Sequence, residues 1–409
     1  RARGSRLPAM SDPSPTVDLG PLGLDGGAHV LVKLAIEDVP IGSTVHVNGT
    51  HPDLRAHLRA WCTATGHGFA RAADSCGAVA TLTRGRFAGG QWGGAWPAGS
   101  PERGDPATQA EPTWGLAARG VWVEAGGPTP HFALDQKDQL WADDAPRLYD
   151  RALAGQWDPA TTVPWDAPRA TDEAIEHAVV QVMTYLVENE EAALVVPARF
   201  LGQVHPHFAE IQHLLAAQVA DEARHAHVFA KRAALADHAP TLSSAGGRAS
   251  LQTLLEEPDF AIAAFLLSVL GEGTFLSLLG FLERHAPDEC TRTIARLVRS
   301  DEARHVAYGV AHLERHCALD PSLRTRLTAA VERRYDALAS TAGLNHEVFD
   351  SLVLLAAGAR DPASIARGWQ AVQQLQLDMH EGRAGRLARL GFSPDEATAL
   401  AALHTRNFM

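Results

Sequence analysis

The sequence predicts a multidomain α+β protein: a small two-layer α/β sandwich, then a mainly α bundle with extra C-terminal helices. Three observations carry that reading. Short strand-like and helix-like segments alternate over residues 16 to 86, a Gly/Pro/Trp-rich stretch follows at 87 to 137, and from 171 onward apolar residues recur at helical spacing through long runs. At 409 residues, 46% of them hydrophobic, the chain is long enough for two or three domains and a sizeable core. Its formal charge of −12 disfavours general nucleic-acid binding, which needs clustered Lys and Arg.

Residues 1 to 15, RARGSRLPAMSDPSP, are basic and proline-bearing, lack the apolar run of a secretory signal, and read as a flexible N-terminus. The four cysteines, Cys62, Cys76, Cys290 and Cys317, show neither paired zinc-type spacing nor a disulfide framework, which fits a reducing compartment. The expected location is therefore cytoplasmic.

Within 16 to 86, TVDLG reads as a strand, HVLVKLAIEDV as a helix, STVHVNG as a second strand, HPDLRAHLRAWCTATG as a second helix, and GFARAAD with AVATLTR as a closing hairpin. This order, with GLDGG before the first helix and AWCTATGHGF late, resembles the TusA/SirA family of sulfur carriers. The resemblance implies a Cys-Pro opening the first helix, where the helix N-terminus favours a thiolate. The matching stretch here is Asp25, Gly26 and Gly27, so no cysteine stands ready to carry a persulfide. Cys62, in the second helix, reads as a packed core residue. The module is expected to dock a partner or cover the bundle.

The stretch from 87 to 137 reads as a linker or covering arm, and Trp92, Trp96, Trp114 and Trp122 argue that parts of it pack. Residues 138 to 170 hold a short helix and a Trp-Asp-Pro turn leading into the bundle, which spans 171 to 318. Thr171, with Asp172 and Glu173 behind it, is expected to cap the first long helix, and Pro197 to kink it. Pro206 or His207 opens the second helix, the polar stretch APTLSSAGGRAS reads as a loop between the halves, and Pro287 opens the fourth helix. Residues 319 to 409 supply further helices that cover the core or form a homodimer surface.

The bundle uses one phrase twice. Asp-Glu-Ala-Arg-His occurs at 221 to 225 and again at 301 to 305. Glu222 and His225, like Glu302 and His305, stand three residues apart, so each pair shares a helix face on which a carboxylate oxygen and an imidazole nitrogen can grip one metal ion. Two copies suggest two ions. A lone Glu-x-x-His is weak, since Glu210 and His213 match it too and acidic residues on amphipathic helices usually form a solvated face. Each copy, however, follows a carboxylate in a long apolar helix. In FAIAAFLLSVLGEGTFLSLLGF, residues 260 to 281, Glu272 is the only ionisable group. Burying it unpaired costs several kcal/mol, so it needs a cation or a proton. In the earlier helix Glu188, Glu190 and Glu191 compete. The stripe Val179, Met183, Leu186, Glu190, Ala193, Pro197, Phe200 favours Glu190, while Glu191 lies on a comparable stripe with Val180, Val187 and Leu194. Glu222 follows Glu190 by 32 residues and Glu302 follows Glu272 by 30, room in each case for helix, turn and helix.

The ordered set Glu, Glu-x-x-His, Glu, Glu-x-x-His resembles the ferritin-like di-iron carboxylate proteins. The resemblance implies Glu190, Glu222, His225, Glu272, Glu302 and His305 as ligands of two iron ions; manganese suits the same donors. It also implies that Asp221 and Asp301 support His305 and His225 across a pseudo-twofold axis, with Arg224 and Arg304 as charge partners or solvated groups. The implied activity is that of an oxygenase or oxidase using dioxygen on a small or carrier-bound organic substrate, with electrons from a reductase or ferredoxin. Two other readings stand beside it: a ferroxidase or peroxide scavenger without an organic substrate, and a scaffold bundle serving the N-terminal module. An N-oxygenase subgroup has a third His where this chain has Val298 and, in the first motif, Gln218. Radical-generating reductase subunits place a tyrosine near the iron, for which Tyr185 and Tyr308 are the candidates. Residues 258 to 282 are apolar enough for a membrane span, but Glu272 in their middle favours a buried bundle helix.

Overall fold

The structure, a computed structural model, describes residues 14–72, 78–85, 95–169, 172–236, 240–339 and 346–404. Internal contacts divide the chain into two compact units, residues 1–96 with 122–127, and residues 97–121 with 128–409.

In the first unit the chain runs β1 (Thr16–Asp18), α1 (Ala28–Glu37), β2 (Thr44–Asn48), α2 (Leu54–Thr65), β3 (Gly68–Arg71) and β4 (Ala80–Thr83). The sheet order is β1-β2-β4-β3, with β1 parallel to β2 and the other pairs antiparallel. Alternate positions Val45 and Val47 of β2 and Ala80 and Leu82 of β4 point inward. They meet Val32 and Ile36 of α1 and Leu54, Leu58 and Cys62 of α2, spaced one turn apart on each helix. Gly66 ends α2 in the left-handed conformation, φ 73°, and its N–H donates to the Cys62 carbonyl. Burial pushes the Cys62 thiol up to about 11, so it stays protonated in the core.

The second unit is helical. Short helices α3 (Lys137–Leu140), α4 (Ala145–Ala154) and α5 (Pro159–Thr162) lead to α6 (Glu173–Leu201) and α7 (Ala209–Ala234), the most extensively packed pair of elements. Then come α8 (Ala245–Leu255), α9 (Phe260–Ala264), a π-helical segment Phe265–Glu272, α10 (Gly273–His285) and α11 (Glu289–Leu319). Outside them lie α12 (Leu323–Ala339), α13 (His346–Ala357), α14 (Pro362–Arg389) and α15 (Pro394–His404). The run Phe260–His285 is long and apolar enough to cross a membrane, and 89% of its most apolar window is buried in the bundle.

Three local expectations need correction. Thr171 lies outside the described residues, and the cap of α6 is Asp172, whose carboxylate accepts from the N–H groups of Ala174 and Ile175. The stretch read as an interhelical loop turns helical at Ala245: Ser244 caps α8 by accepting from Gly247 N–H, and Leu251 and Leu254 supply a buried face that outweighs the glycines. The third helix is π-wound through its middle, with i→i+5 geometry that no apolar periodicity announces.

Residues 97–121 belong to the helical unit, where they are fastened to α7 and to the 3-10 turn Pro206–Phe208 just before it. Arg119 pairs with Glu210, which also accepts from Gly104 N–H at 2.9 Å, and Ala107 N–H donates to His207 Nε2 at 2.9 Å. Trp114 is buried here, its ring 4.5 Å from that of His207. A second lock joins α6, α7 and α11. The fully buried Arg232 donates to Glu176 at 2.7 Å, to Asp288 at 2.7 Å and to Thr291 Oγ1 at 2.8 Å.

Candidate metal centre

Four helical segments deliver the six predicted side chains to one place. On α6 the stripe from Val179 to Phe200 faces the core, which buries Glu190 and leaves Glu191 exposed. On α7 and α11 the three-residue spacing turns Glu222 with His225, and Glu302 with His305, into the interior; all four are buried. Glu272 is the last residue of the π segment and is 3% exposed. The side chains form two overlapping groups: Glu190, Glu222, His225 and Glu302, and Glu222, Glu272, Glu302 and His305. Within each group the ligating atoms lie within 4.8 Å of one another. Glu222 and Glu302 are common to both, so the six side chains could hold two cations side by side.

Both imidazoles turn Nδ1 toward these carboxylates. His225 Nδ1 lies 3.4 Å from Glu190, 3.1 Å from Glu222 and 3.2 Å from Glu302, and His305 Nδ1 lies 2.9 Å from Glu222. Each Nε2 faces the aspartate of the opposite motif. His225 Nε2 is 3.1 Å from Asp301 and His305 Nε2 is 3.3 Å from Asp221. An ionised aspartate accepts only, so it fixes the proton on Nε2 and leaves the Nδ1 lone pair for a cation. Arg224 and Arg304 each reach both aspartates. Arg224 lies 2.9 Å from Asp301, and Arg304 lies 3.1 Å from Asp221 and 2.6 Å from Asp301. The Asp/Arg layer is thus balanced in charge.

Several donor atoms have no hydrogen-bond partner: Glu190 Oε1, Glu222 Oε1, Glu272 Oε2, both Glu302 oxygens and His305 Nδ1. Buried carboxylate oxygens without donors are costly, and here they converge on shared points. The donor set of oxygen and imidazole nitrogen, without thiolate, fits divalent iron or manganese. Without a cation, protons balance the cluster. Burial, with the negative charge of Glu222 and Glu302 added, holds Glu190 well above the ordinary carboxylate range. Burial and the neighbouring Glu302 do the same to Glu272. Burial pulls His225 down, but Asp301, Glu190, Glu222 and Glu302 outweigh it and raise the imidazole well above its usual value. His305 is raised likewise, burial being outweighed by Glu222 and Glu302.

Some site residues escaped sequence reasoning. Trp157 Nε1 donates to Asp301 at 2.8 Å, Gln156 donates to Asp221 at 3.1 Å, and the Arg224 guanidinium lies 4.7 Å from the centre of the Trp157 ring. The Trp-Asp-Pro turn between α4 and α5 therefore closes the aspartate layer. Nothing in its composition ties it to a partner 144 residues onward. Gln218 donates to Glu272 at 2.9 Å. Among the other candidates, Glu210 is spent on Arg119 and His213 is exposed. Tyr308 donates to the Leu140 carbonyl at 2.9 Å, and the Tyr185 hydroxyl is buried without a hydrogen bond.

No protein-family model and no curated protein matches this chain. Solved structures do. A Synechococcus protein with aldehyde deformylating oxidase activity is similar at 20% identity, covering 56% of this chain and 96% of its own, with a TM-score of 0.39. An R2-like ligand-binding oxidase from Sulfolobus acidocaldarius is similar at 15% identity over 62% of this chain and 93% of its own, with a TM-score of 0.41. A variant of an R2-like ligand-binding oxidase with a reconstituted Mn/Fe cofactor is similar at 18% identity over 61% and 93%, with a TM-score of 0.44. At these scores the likenesses carry no weight for the chemistry, which rests on the geometry of the six side chains.

Proposed function

We propose that the protein is a non-haem di-iron oxidoreductase that activates dioxygen to oxidise an organic substrate. The observation that carries this reading is the pair of overlapping Glu/His groups sharing Glu222 and Glu302 in a buried, four-helix setting. Two ferrous ions held there would supply two electrons to dioxygen, and manganese suits the same ligands. Glu190, Glu222 and Glu302 with His225 would hold one ion, and Glu222, Glu272 and Glu302 with His305 the other. The rest of the chain orients and insulates. Asp221 and Asp301 fix the imidazole tautomers, and Arg224 and Arg304 keep both aspartates ionised. Phe275, buried beside Glu190, Glu272 and Glu302, would help to keep water from the cluster.

Electrons would come from a separate reductase or ferredoxin. The small sheet domain, whose one described cysteine is buried and protonated, is assigned to docking or covering rather than to sulfur transfer. The alternative, a ferroxidase without an organic substrate, is separated by single-turnover oxygen consumption of the iron-loaded protein. Product formed in step with oxygen consumed, once a substrate is added, supports the oxygenase. Oxygen consumption that yields only ferric iron, whatever is added, supports the alternative. Absence of stoichiometric iron or manganese after loading would sink both.

A further inference from the structure

A narrow cavity adjoins the carboxylate cluster. Glu190, Glu272 and Glu302 form one side of it, and Leu251, Leu254, Leu266, Leu267 and Phe275 supply apolar walls. Its volume is about 20 Å³, room for about one water molecule, so a larger guest must push the leucines apart. Into this cavity comes Arg334, from α12 outside the four long helices. Arg334 is 4% exposed, and among the described residues its one hydrogen bond runs from Nη2 to Ser250 Oγ at 2.7 Å, while Nε and Nη1 have no partner there.

A buried guanidinium with two idle N–H directions and no counter-ion is expensive, and a single serine does not offset it. Burial draws its pKa down to about 10, which still leaves it charged at neutral pH. Asp221 and Asp301 are matched by Arg224 and Arg304, and two divalent ions would match Glu190, Glu222, Glu272 and Glu302 beside neutral imidazoles. Arg383 and Arg386 on α14 also carry an unpartnered N–H each, and Arg386 donates to the Val269 carbonyl next to Gly273, but neither lines this cavity. Arg334 is the guanidinium that does, in a greasy slot that ends at the proposed metal pair. Asn189 Oδ1, on the same wall, also lacks a donor.

We propose that Arg334 binds the carboxylate of an otherwise apolar substrate and so holds the attached carbon chain against the Glu190, Glu272 and Glu302 end of the cavity. The planar fork of donors matches a carboxylate, which accepts two parallel N–H bonds, and the leucine walls match a hydrocarbon chain. The substrate class is thus a monocarboxylic acid rather than an alcohol, amine or amide. This deepens the proposed function and rests on it.

The test compares hexanoate with hexanamide, equal in length and differing in charge, by calorimetric titration of metal-free and manganese-loaded protein. The expected result is hexanoate binding at least about tenfold more tightly to the wild type, a ratio near one in Arg334→Met, and a preference retained in Arg334→Lys. Equal affinities in the wild type, no binding of hexanoate at millimolar concentration, or an unchanged ratio in Arg334→Met each overturn the assignment. A preference that needs manganese and survives Arg334→Met places the carboxylate on the metals and also overturns it. Should Arg334→Met not fold, the wild-type ratio and the Lys variant still decide. Metal content is read on the same samples. A preference that follows Arg334 in metal-free protein stands even where the metal pair fails, and loaded protein without that preference shows the reverse.

Discussion

Asp301 on α11 accepts from Nε2 of His225 on α7, 3.1 Å away, while its other contacts are Arg224, Arg304 and the indole N–H of Trp157. Asp221 holds His305 in the mirrored way, so each motif supplies the orienting group for the other motif's imidazole. Asp301→Asn replaces an acceptor-only carboxylate by a neutral amide that can also donate, so the tautomer is no longer fixed, without changing the packing volume. The expected outcome is a loss of roughly ten- to a hundredfold in metal affinity, read by competition with a chelator.

Glu272 belongs to one metal group and Glu190 to the other, whereas Glu222 belongs to both. Glu272→Ala is expected to retain one ion per chain and Glu222→Ala to lose both. Elemental analysis after dialysis checks this, and full loading of Glu272→Ala would refute the ligand assignment.

Metal uptake is expected to strengthen as pH rises. Glu190, Glu272, His225 and His305 all have raised pKa values in the metal-free fold, so each binds protons that a cation must displace. Acidification therefore opposes binding, and titrations in buffers of different ionisation enthalpy should report net proton release. Zero release would contradict the proton-balanced cluster.

The attachment of residues 97–121 to α7 is expected to be acid-labile. Burial, then the nearby Arg119, lowers His207 from its ordinary 6.5 to about 4. A depressed folded value means that its contribution is complete above 6.5 and is lost as pH falls toward 4. Glu210 adds in the same direction. Its burial is outweighed by Arg119 and the Gly104 N–H, its folded value is lowered, and its contribution fades as acid reaches that range. His207→Gln, which keeps an acceptor for Ala107 N–H, should flatten the fall in Tm between pH 6.5 and 4. An unchanged slope would remove His207 from the account.

Arg232 satisfies Glu176 and Asp288 with no solvent contact, and Asp288 in turn caps α11 by accepting from Thr291 N–H at 2.7 Å. Arg232→Met leaves two carboxylates buried without their cation. The expected cost is about 3–5 kcal/mol, measured by denaturant unfolding. Replacing Arg232, Glu176 and Asp288 together by apolar residues should cost less than the single change.

The metal-site candidates were readable because the cluster obeys helix arithmetic. A three-residue spacing places Glu222 with His225, and a lone charge in an apolar helix singles out Glu272. The choice of Glu190 over Glu191 followed from the stripe that ends at Phe200, and the structure buries the first and exposes the second. What escaped was long-range and aperiodic. Trp157, Gln156 and Arg334 reach the site from a turn and an outer helix, and no local pattern announces such partners. The helix α8 escaped for another reason: its glycines and serines mimic a loop, and only the tertiary burial of Leu251 and Leu254 decides in favour of the helix.

Because the π turn from Phe265 to Glu272 carries more residues per revolution than its flanks, Glu272 is aimed by residue count as much as by side-chain chemistry. If the coil tightened to the ordinary pitch with no residue removed, each residue would turn further and that carboxylate would swing around the axis, away from its companions. A change that merely relaxed the winding of that stretch would therefore be a more drastic lesion than most substitutions, although every wall-forming side chain would survive it.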